Sequence, residues 1–319
     1  MLEVRRYQPE QAEEWNAFVA ESKNGTFLFD RRYMDYHANR FADHSLLFYR
    51  NEKLYALLPA NLVGNTLYSH QGLTYGGLVM GCQATTVHVA EVFRLMASHC
   101  AHCGIERVVY KAVPWIYTTL PAEEPLYTLH VDCHARLLER DISSAMVMER
   151  PLKWKKDRRH GLRVATENGV HVRTTENYAP FWDILKENLS TRHGVKPVHT
   201  LQEIELLHSR FPQQIVLYEA MHEQQLVGGC VVYVMPQVVH TQYIAATPEG
   251  KRMGAVDALV AHLAKTYTAQ TFLDFGKSTE SHCDQLNEHL IYQKEGFGAR
   301  AVCYDTYEWT ITDPDEAEQ

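Results

Sequence analysis

The chain has no apolar run long enough to cross a bilayer. Its longest, Leu226 to Met235, is ten residues with two glycines inside, about half of the ~20 that a spanning helix needs. The N-terminus, Met1-Leu2-Glu3-Val4-Arg5-Arg6, lacks the apolar core and small-residue cleavage site of a signal peptide, so a cytoplasmic protein is expected. An even cysteine count is also missing. Seven cysteines, at 82, 100, 103, 133, 230, 283 and 303, in 319 residues point to reduced thiols rather than a disulfide framework. Positive charge is scarce: 31 Lys and Arg against 39 Asp and Glu give a net charge of −8, which excludes surface-wide attraction to nucleic acid or anionic lipid. Several catalytic signatures are absent too. Gly276-Lys277-Ser278 follows a strand-like run, but position 271, where a P-loop requires glycine, is threonine. No Gly-x-Ser-x-Gly elbow and no His-Glu-x-x-His helix occurs, which weakens the serine-hydrolase and zinc-protease readings.

What remains is an ordinary globular composition, 45% apolar and 22% charged, in a chain long enough for two domains. Two halves share one grammar: early helices, a run of strands, a long helix and closing strands. The boundaries read as a domain over 1–140, a second over 141–312, and an acidic disordered tail over 313–319. In the first half, 9–20 and 31–41 read as helices and 45–50, 53–63 and 65–70 as strands. A Gly-rich loop at 71–77, a helix over 85–102 and a strand over 107–113 follow. In the second, 151–167, 178–193, 200–209, 255–267 and 283–295 read as helices. The runs 170–175, 215–220, 226–235, 238–246, 271–275 and 301–310 read as strands, with 247–254 a polar turn. The expected class is therefore α/β (α+β), each domain a mixed, mostly antiparallel sheet flanked by helices.

The densest metal-like cluster is His99-Cys100-Ala101-His102-Cys103, where His99 shares a helix face only with His102 or Cys103. A tetrahedral site needs a further pair and none is spaced nearby, so no metal is expected. Charge is unevenly placed: residues 141–163 carry 7 basic and 3 acidic groups, whereas 164–319 carry 11 and 21. Within this island Lys155, Arg159 and Arg163 share one helical face, with Lys156 beside them. Such a face is either solvated or a seat for a phosphate-bearing ligand.

One order of elements stands out in the second half. A three-strand meander leads to a turn with Gly250 and Gly254 opening a helix, then a strand, then Tyr292-Gln293-Lys294-Glu295-Gly296-Phe297. This order resembles the GNAT acyltransferase fold, whose turn offers backbone N–H groups and a helix N-terminus to the donor's pyrophosphate. Across nearly the whole chain the resemblance narrows to the FemAB-like branch, with two such domains in tandem. It is carried by Ser69-His70-Gln71-Gly72-Leu73-Thr74-Tyr75-Gly76-Gly77, by the basic helix at 153–163 followed by Asn168-Gly169-Val170-His171-Val172, by Asp274-Phe275-Gly276-Lys277-Ser278, and by Gln293-Lys294-Glu295-Gly296-Phe297-Gly298.

The resemblance implies an acyltransferase moving an acyl or aminoacyl group to an amine of a cell-envelope or polysaccharide precursor, a small molecule. Lys294 takes the place of the family's lysine as the cation for the oxyanion, with Gln293 where the family has an aromatic. Tyr292 is the candidate acid for the leaving group. Gly250, Lys251, Arg252, Gly254, Gly276, Lys277 and Ser278 are implied for donor binding, and Tyr75, Gly76, Lys155, Lys156 and Arg159 for substrate binding. The donor stays open between acyl-CoA and aminoacyl-tRNA, with tRNA a possible partner. Val256 stands where a small residue is usual at the pyrophosphate turn, and a bulky side chain there impedes close approach. The rival class is a non-catalytic GNAT scaffold that binds a phosphorylated or nucleotide-linked ligand.

Overall fold

The computed structural model describes residues 2–280 and 285–311, apart from the side chains of Arg192 and His193. Cys283 with the start of the helix expected from 283, and the tail 313–319 expected to be disordered, lie outside the described residues. The chain forms two compact units, Met1–Asp141 with Cys303–Gln319, and Ile142–Val302.

The first unit holds two sheets. β1 (Leu2–Arg6), β2 (Leu46–Arg50), β3 (Lys53–Leu58) and β6 (Val79–Met80) form one antiparallel sheet in that order. β4 (Asn61–Val63), β5 (Thr66–Tyr68) and β7 (Arg107–Lys111) belong to the other, where β5 runs parallel to β7. The closing strand Arg300–Thr310 pairs antiparallel with β7, Thr306 opposite Lys111 and Thr310 opposite Arg107. The sequence reading assigned this strand to the second domain. Its alternating large side chains instead find their partners on β7, and Trp309 enters the first unit's core beside Phe93 and Tyr110. α1 (Ala12–Glu21) and α2 (Thr86–His102) cover the sheets, α2 sending Val89, Val92, Phe93 and Met96 into the core. The helix expected over 31–41 is only one turn, Arg31–Met34, followed by a 3-10 turn. α3 (Glu124–Val131) and β8 (Arg136–Val147) were not read from the sequence. Arg-Leu-Leu-Glu-Arg-Asp-Ile-Ser-Ser shows no alternation, because most of its first half is not buried on either face.

The second unit is one sheet with helices on it. α4 (Lys156–Glu167) leads to β9 (His171–Thr175), then α5 (Ala179–His193) and α6 (Leu201–Arg210). Thr200 caps α6 and Glu203 bonds back to it, a reciprocal pair that fixes the helix start. β10 (Ile215–His222), β11 (Gln225–Val234) and β12 (Val238–Ala246) continue the antiparallel meander begun by β9. β11 is a near-continuous apolar run because both its faces are buried. The turn expected at 247–254 contains a short helix, α7 (Pro248–Arg252), started by Thr247, whose hydroxyl accepts from Gly250 N. α8 (Ala255–Thr266) crosses back, so β13 (Phe272–Lys277) lies parallel to β12. The other edge of β13 pairs antiparallel with Ser143–Val147 of β8. α9 (Glu288–Gly296) follows, capped by Asn287 onto Leu290 N. Val232, Val239, Leu259, Val260, Leu263, Leu273 and Phe297 form the core under α8.

Candidate functional site

The parallel pairing of β12 and β13 stops at His240 opposite Asp274. Beyond that point Thr241 to Ala246 on one strand, and Phe275 and Lys277 on the other, line a cleft of about 800 Å³. The strands part, and α4, α5, α7, the start of α8 and α9 supply the remaining wall. Five cations reach it, Arg158, Lys251, Arg252, Lys277 and Lys294, against two carboxylates, Asp157 and Asp257. A concave surface with that balance, in a chain of net charge −8, is a local trap for anions.

Lys294 is the most constrained of these groups. It is only 7% exposed, and its ammonium donates to Gly276 O at 2.7 Å, Lys277 O at 2.9 Å and Ser278 Oγ at 2.7 Å. All three of its N–H bonds are engaged. Burial pushes its pKa down to about 8, and nearby Asp274 opposes that fall. The lysine therefore presents the cleft with a buried charge rather than a free donor. Gly276 has φ +73°, and a Cβ there would sit 3.1 Å from the His240 ring. This bend aims two successive carbonyls at one ammonium.

Behind the bend lies a network missed by the sequence reading. Asp274, fully buried, accepts from Ser143 Oγ and from His240 Nδ1 at 2.8 Å. Asp274 stood within a quoted motif, but its partners are 34 and 131 residues away, beyond the reach of any spacing rule.

Several expected site residues lie elsewhere. Tyr292 is 56% exposed and is absent from the cleft wall; Lys155 Nζ covers its ring at 4.2 Å. Gln293 and Lys294 point inward instead, because residues that close in sequence point in different directions on a helix. Tyr292, the candidate leaving-group acid, thus does not face this cleft. Lys155, Lys156 and Arg159 are exposed on the solvent side of α4, with Arg159 Nε donating to Trp154 O. The cleft receives the other face, through Asp157, Arg158, His160, Gly161 and Val164. Ser278 is 1% exposed and serves Lys294. Tyr75 is also 1% exposed, packed on Phe29 and Tyr117 with its hydroxyl 3.3 Å from Thr26 Oγ1. A Cβ on Gly76 would lie 1.8 Å from Ser69 O. These two residues build the first unit's core and offer no ligand surface.

The expected pyrophosphate turn keeps its shape but not its opening. Gly254 has φ +73°, and a Cβ there would meet Gly161 O of α4 at 2.1 Å. A Cβ on Gly161 would in turn lie 2.4 Å from Asp257. Two glycines thus let α4 close on the first turn of α8, where Asp257 sits. Burial pushes the Asp257 carboxyl up to about 6, against Arg158, 3.2 Å away, and its own backbone N–H. A carboxylate already occupies the anion-favouring end of this helix, so a pyrophosphate does not fit there without displacing it. Gly250 is equally filled, its missing Cβ 1.9 Å from Val227 O. Lys251 lines the cleft and bonds Asn188 Oδ1, while Arg252, Gly254 and Lys277 also line it.

Residues 153–282 match the model of the acetyltransferase (GNAT) domain family. The matched residues lie within the second unit. No curated protein matches the chain in sequence. Among solved structures, FemX has TM-score 0.69 at 10% identity, covering 99% of both chains. The C-terminal domain (DUF2156) of a putative lysylphosphatidylglycerol synthetase from Agrobacterium fabrum has TM-score 0.60 at 11% identity, covering 97% of this chain and 93% of that one. A tandem GNAT protein from the clavulanic acid biosynthesis pathway has TM-score 0.51 at 11% identity, covering 98% and 99%. At such identities these likenesses are of fold. Among the described residues no helix is long and apolar enough to cross a membrane.

Proposed function

We propose that the protein transfers an aminoacyl group from an aminoacyl-tRNA to a primary amine of a cell-envelope precursor, using the cationic cleft of the second unit. The observation that carries this reading is Lys294, a buried ammonium on the wall of a cleft with five cations and two carboxylates. Attack of the acceptor nitrogen on the donor carbonyl forms the C–N bond and builds an oxyanion. The ester C–O bond then breaks, and the ribose oxygen leaves as the tRNA hydroxyl by taking up, through solvent, the proton that the attacking amine loses. Lys294 balances the oxyanion through its charge, while Arg158, Arg252 and Lys277 bear the anionic part of the ligand. The filled first turn of α8 favours a donor without a pyrophosphate at that position. The FemX and lysylphosphatidylglycerol synthetase folds, the latter named for a lysyl-modified lipid, agree with an envelope role.

The test is calorimetric titration with CoA, acetyl-CoA and bulk aminoacyl-tRNA at two salt concentrations. Saturable binding of aminoacyl-tRNA that weakens steeply with salt, without binding of CoA, supports the reading. Micromolar CoA binding overturns the donor assignment and makes the protein a CoA-dependent acyltransferase. Binding of neither overturns it in favour of a non-catalytic module for a phosphorylated ligand.

A further inference from the structure

The first unit brings together three side chains that the sequence keeps 55 and 4 residues apart. His44 follows the two-residue strand Ala42–Asp43, and its N–H donates to Ala60 O at 2.9 Å. His99 lies in the last turn of α2, and Cys103 is that helix's C-cap. His44 Nε2 is 3.3 Å from His99 Nε2, and Cys103 Sγ is 3.7 Å from His99 Nε2. Their candidate ligand atoms all lie within 4.8 Å of one another.

These separations can be compared with a coordination polyhedron. With Zn–N near 2.05 Å and Zn–S near 2.3 Å, a tetrahedron has N···N edges of about 3.3 Å and N···S edges of about 3.6 Å. The two distances to His99 fall within about 0.2 Å of those edges, and the third pair, His44 with Cys103, lies within 4.8 Å. The donor set, two imidazoles and a thiol, is a zinc set. The C-terminal end of a 17-residue helix carries the partial negative charge that favours a cation. Burial is graded across the cluster, His44 buried, His99 half-buried and Cys103 exposed, which leaves a solvent side for a fourth ligand.

We infer that His44, His99 and Cys103 form a zinc site with water in the fourth position, clipping the end of α2 to the segment after Ala42–Asp43. The earlier expectation of no metal rested on a missing second pair near 99–103. The fold supplies the third ligand from a segment that spacing could not associate with it.

The experiment uses the untagged full chain, stripped with a chelator and titrated with Co²⁺ followed by Zn²⁺. One Co²⁺ per chain is expected, with the intense visible bands of four-coordinate cobalt and a thiolate charge-transfer band, both abolished by stoichiometric Zn²⁺. Cys103→Ser, at an exposed position, should remove the charge-transfer band and weaken affinity about tenfold or more. His99→Ala should do the same to affinity, so the test survives if His44→Ala fails to fold. His102→Ala, on the same helix but with its ring bonded to Ser98 O, should leave binding unchanged. Zn²⁺ should raise the melting temperature of the wild type and not of Cys103→Ser. Weak octahedral spectra, no stoichiometric uptake, or uptake unchanged in both Cys103→Ser and His99→Ala would each overturn the inference.

Discussion

Replacing Lys294 by methionine keeps its volume and removes only its charge and donors. On the chemistry, a charge about 4 Å from a developing oxyanion contributes about 4 kcal/mol at an effective dielectric of 20, roughly 10²–10³ in rate once imperfect alignment is allowed for. On the fold, the three hydrogen bonds of the Lys294 ammonium are worth about 5–9 kcal/mol together. Against this stands the penalty of burying its charge. The fall in pKa from 10.5 to about 8 corresponds to about 3 kcal/mol at pH 7. The hydrogen bonds outweigh this penalty, so Lys294→Met should lose about 2–5 kcal/mol of stability along with most of its activity.

The pH dependence has a definite sign. The folded pKa lies below the unfolded one, so between about 8 and 10.5 the unfolded chain binds the extra proton. The burial penalty present below about pH 8 is thus relieved as pH rises through that window. The charge itself is lost from the site over the same rise, so single-turnover transfer of a labelled aminoacyl group to a soluble amine precursor should fall above about pH 8. The methionine variant should lack that limb. A Lys294→Met protein that melts normally and transfers within threefold of wild type would refute the reasoning.

The other expectations are narrower. Tyr292→Phe should keep kcat/KM within twofold, since the ring lies outside the cleft under Lys155; a hundredfold loss would restore it as an acid. Arg252→Gln should weaken ligand binding and reduce its salt slope, whereas Lys156→Ala on the solvent face of α4 should leave titrations unchanged. Gly254→Ala must both hold φ +73° and meet Gly161 O at 2.1 Å, so denaturant unfolding should show at least ~2 kcal/mol of destabilisation. Gly64→Ala, at φ +57° with open space around it, should lose only ~1 kcal/mol. For Asp257 the folded pKa is raised from 3.8 to about 6, so wild-type stability should decline as pH rises across that interval. The stability of Asp257→Asn relative to wild type should grow by up to about 3 kcal/mol, and a flat difference in paired denaturant curves would contradict the burial argument.

The local pattern was sufficient for most elements. The capping pair Thr200 and Glu203, the continuous apolar run of β11, the glycines of the α8 turn and the amphipathic α2 each declare their conformation within a few residues. The order meander, turn, helix, strand, helix was enough to suggest the GNAT fold, and the position of Lys294 came with it. Elements without a local period, β8 above all, were not legible. Neither was the choice of face: Lys155, Lys156 and Arg159 were the obvious cations of α4, yet the cleft takes Arg158, because burial of the helix against α8 decides which side is inward.

Chain composition and short-range periodicity therefore determined which segments are helix or strand, and the order of those segments carried the resemblance to the GNAT fold. Tertiary structure alone decided that Tyr292 faces solvent, that Asp257 fills the expected pyrophosphate turn, that His240 and Ser143 hold Asp274, and that His44 meets His99 and Cys103. Each of these depends on residues tens of positions apart sharing a few ångströms. Sequence spacing carries orientation only over a turn or a strand, whereas the packing of α4 on α8 and the parting of β12 from β13 fix those distances.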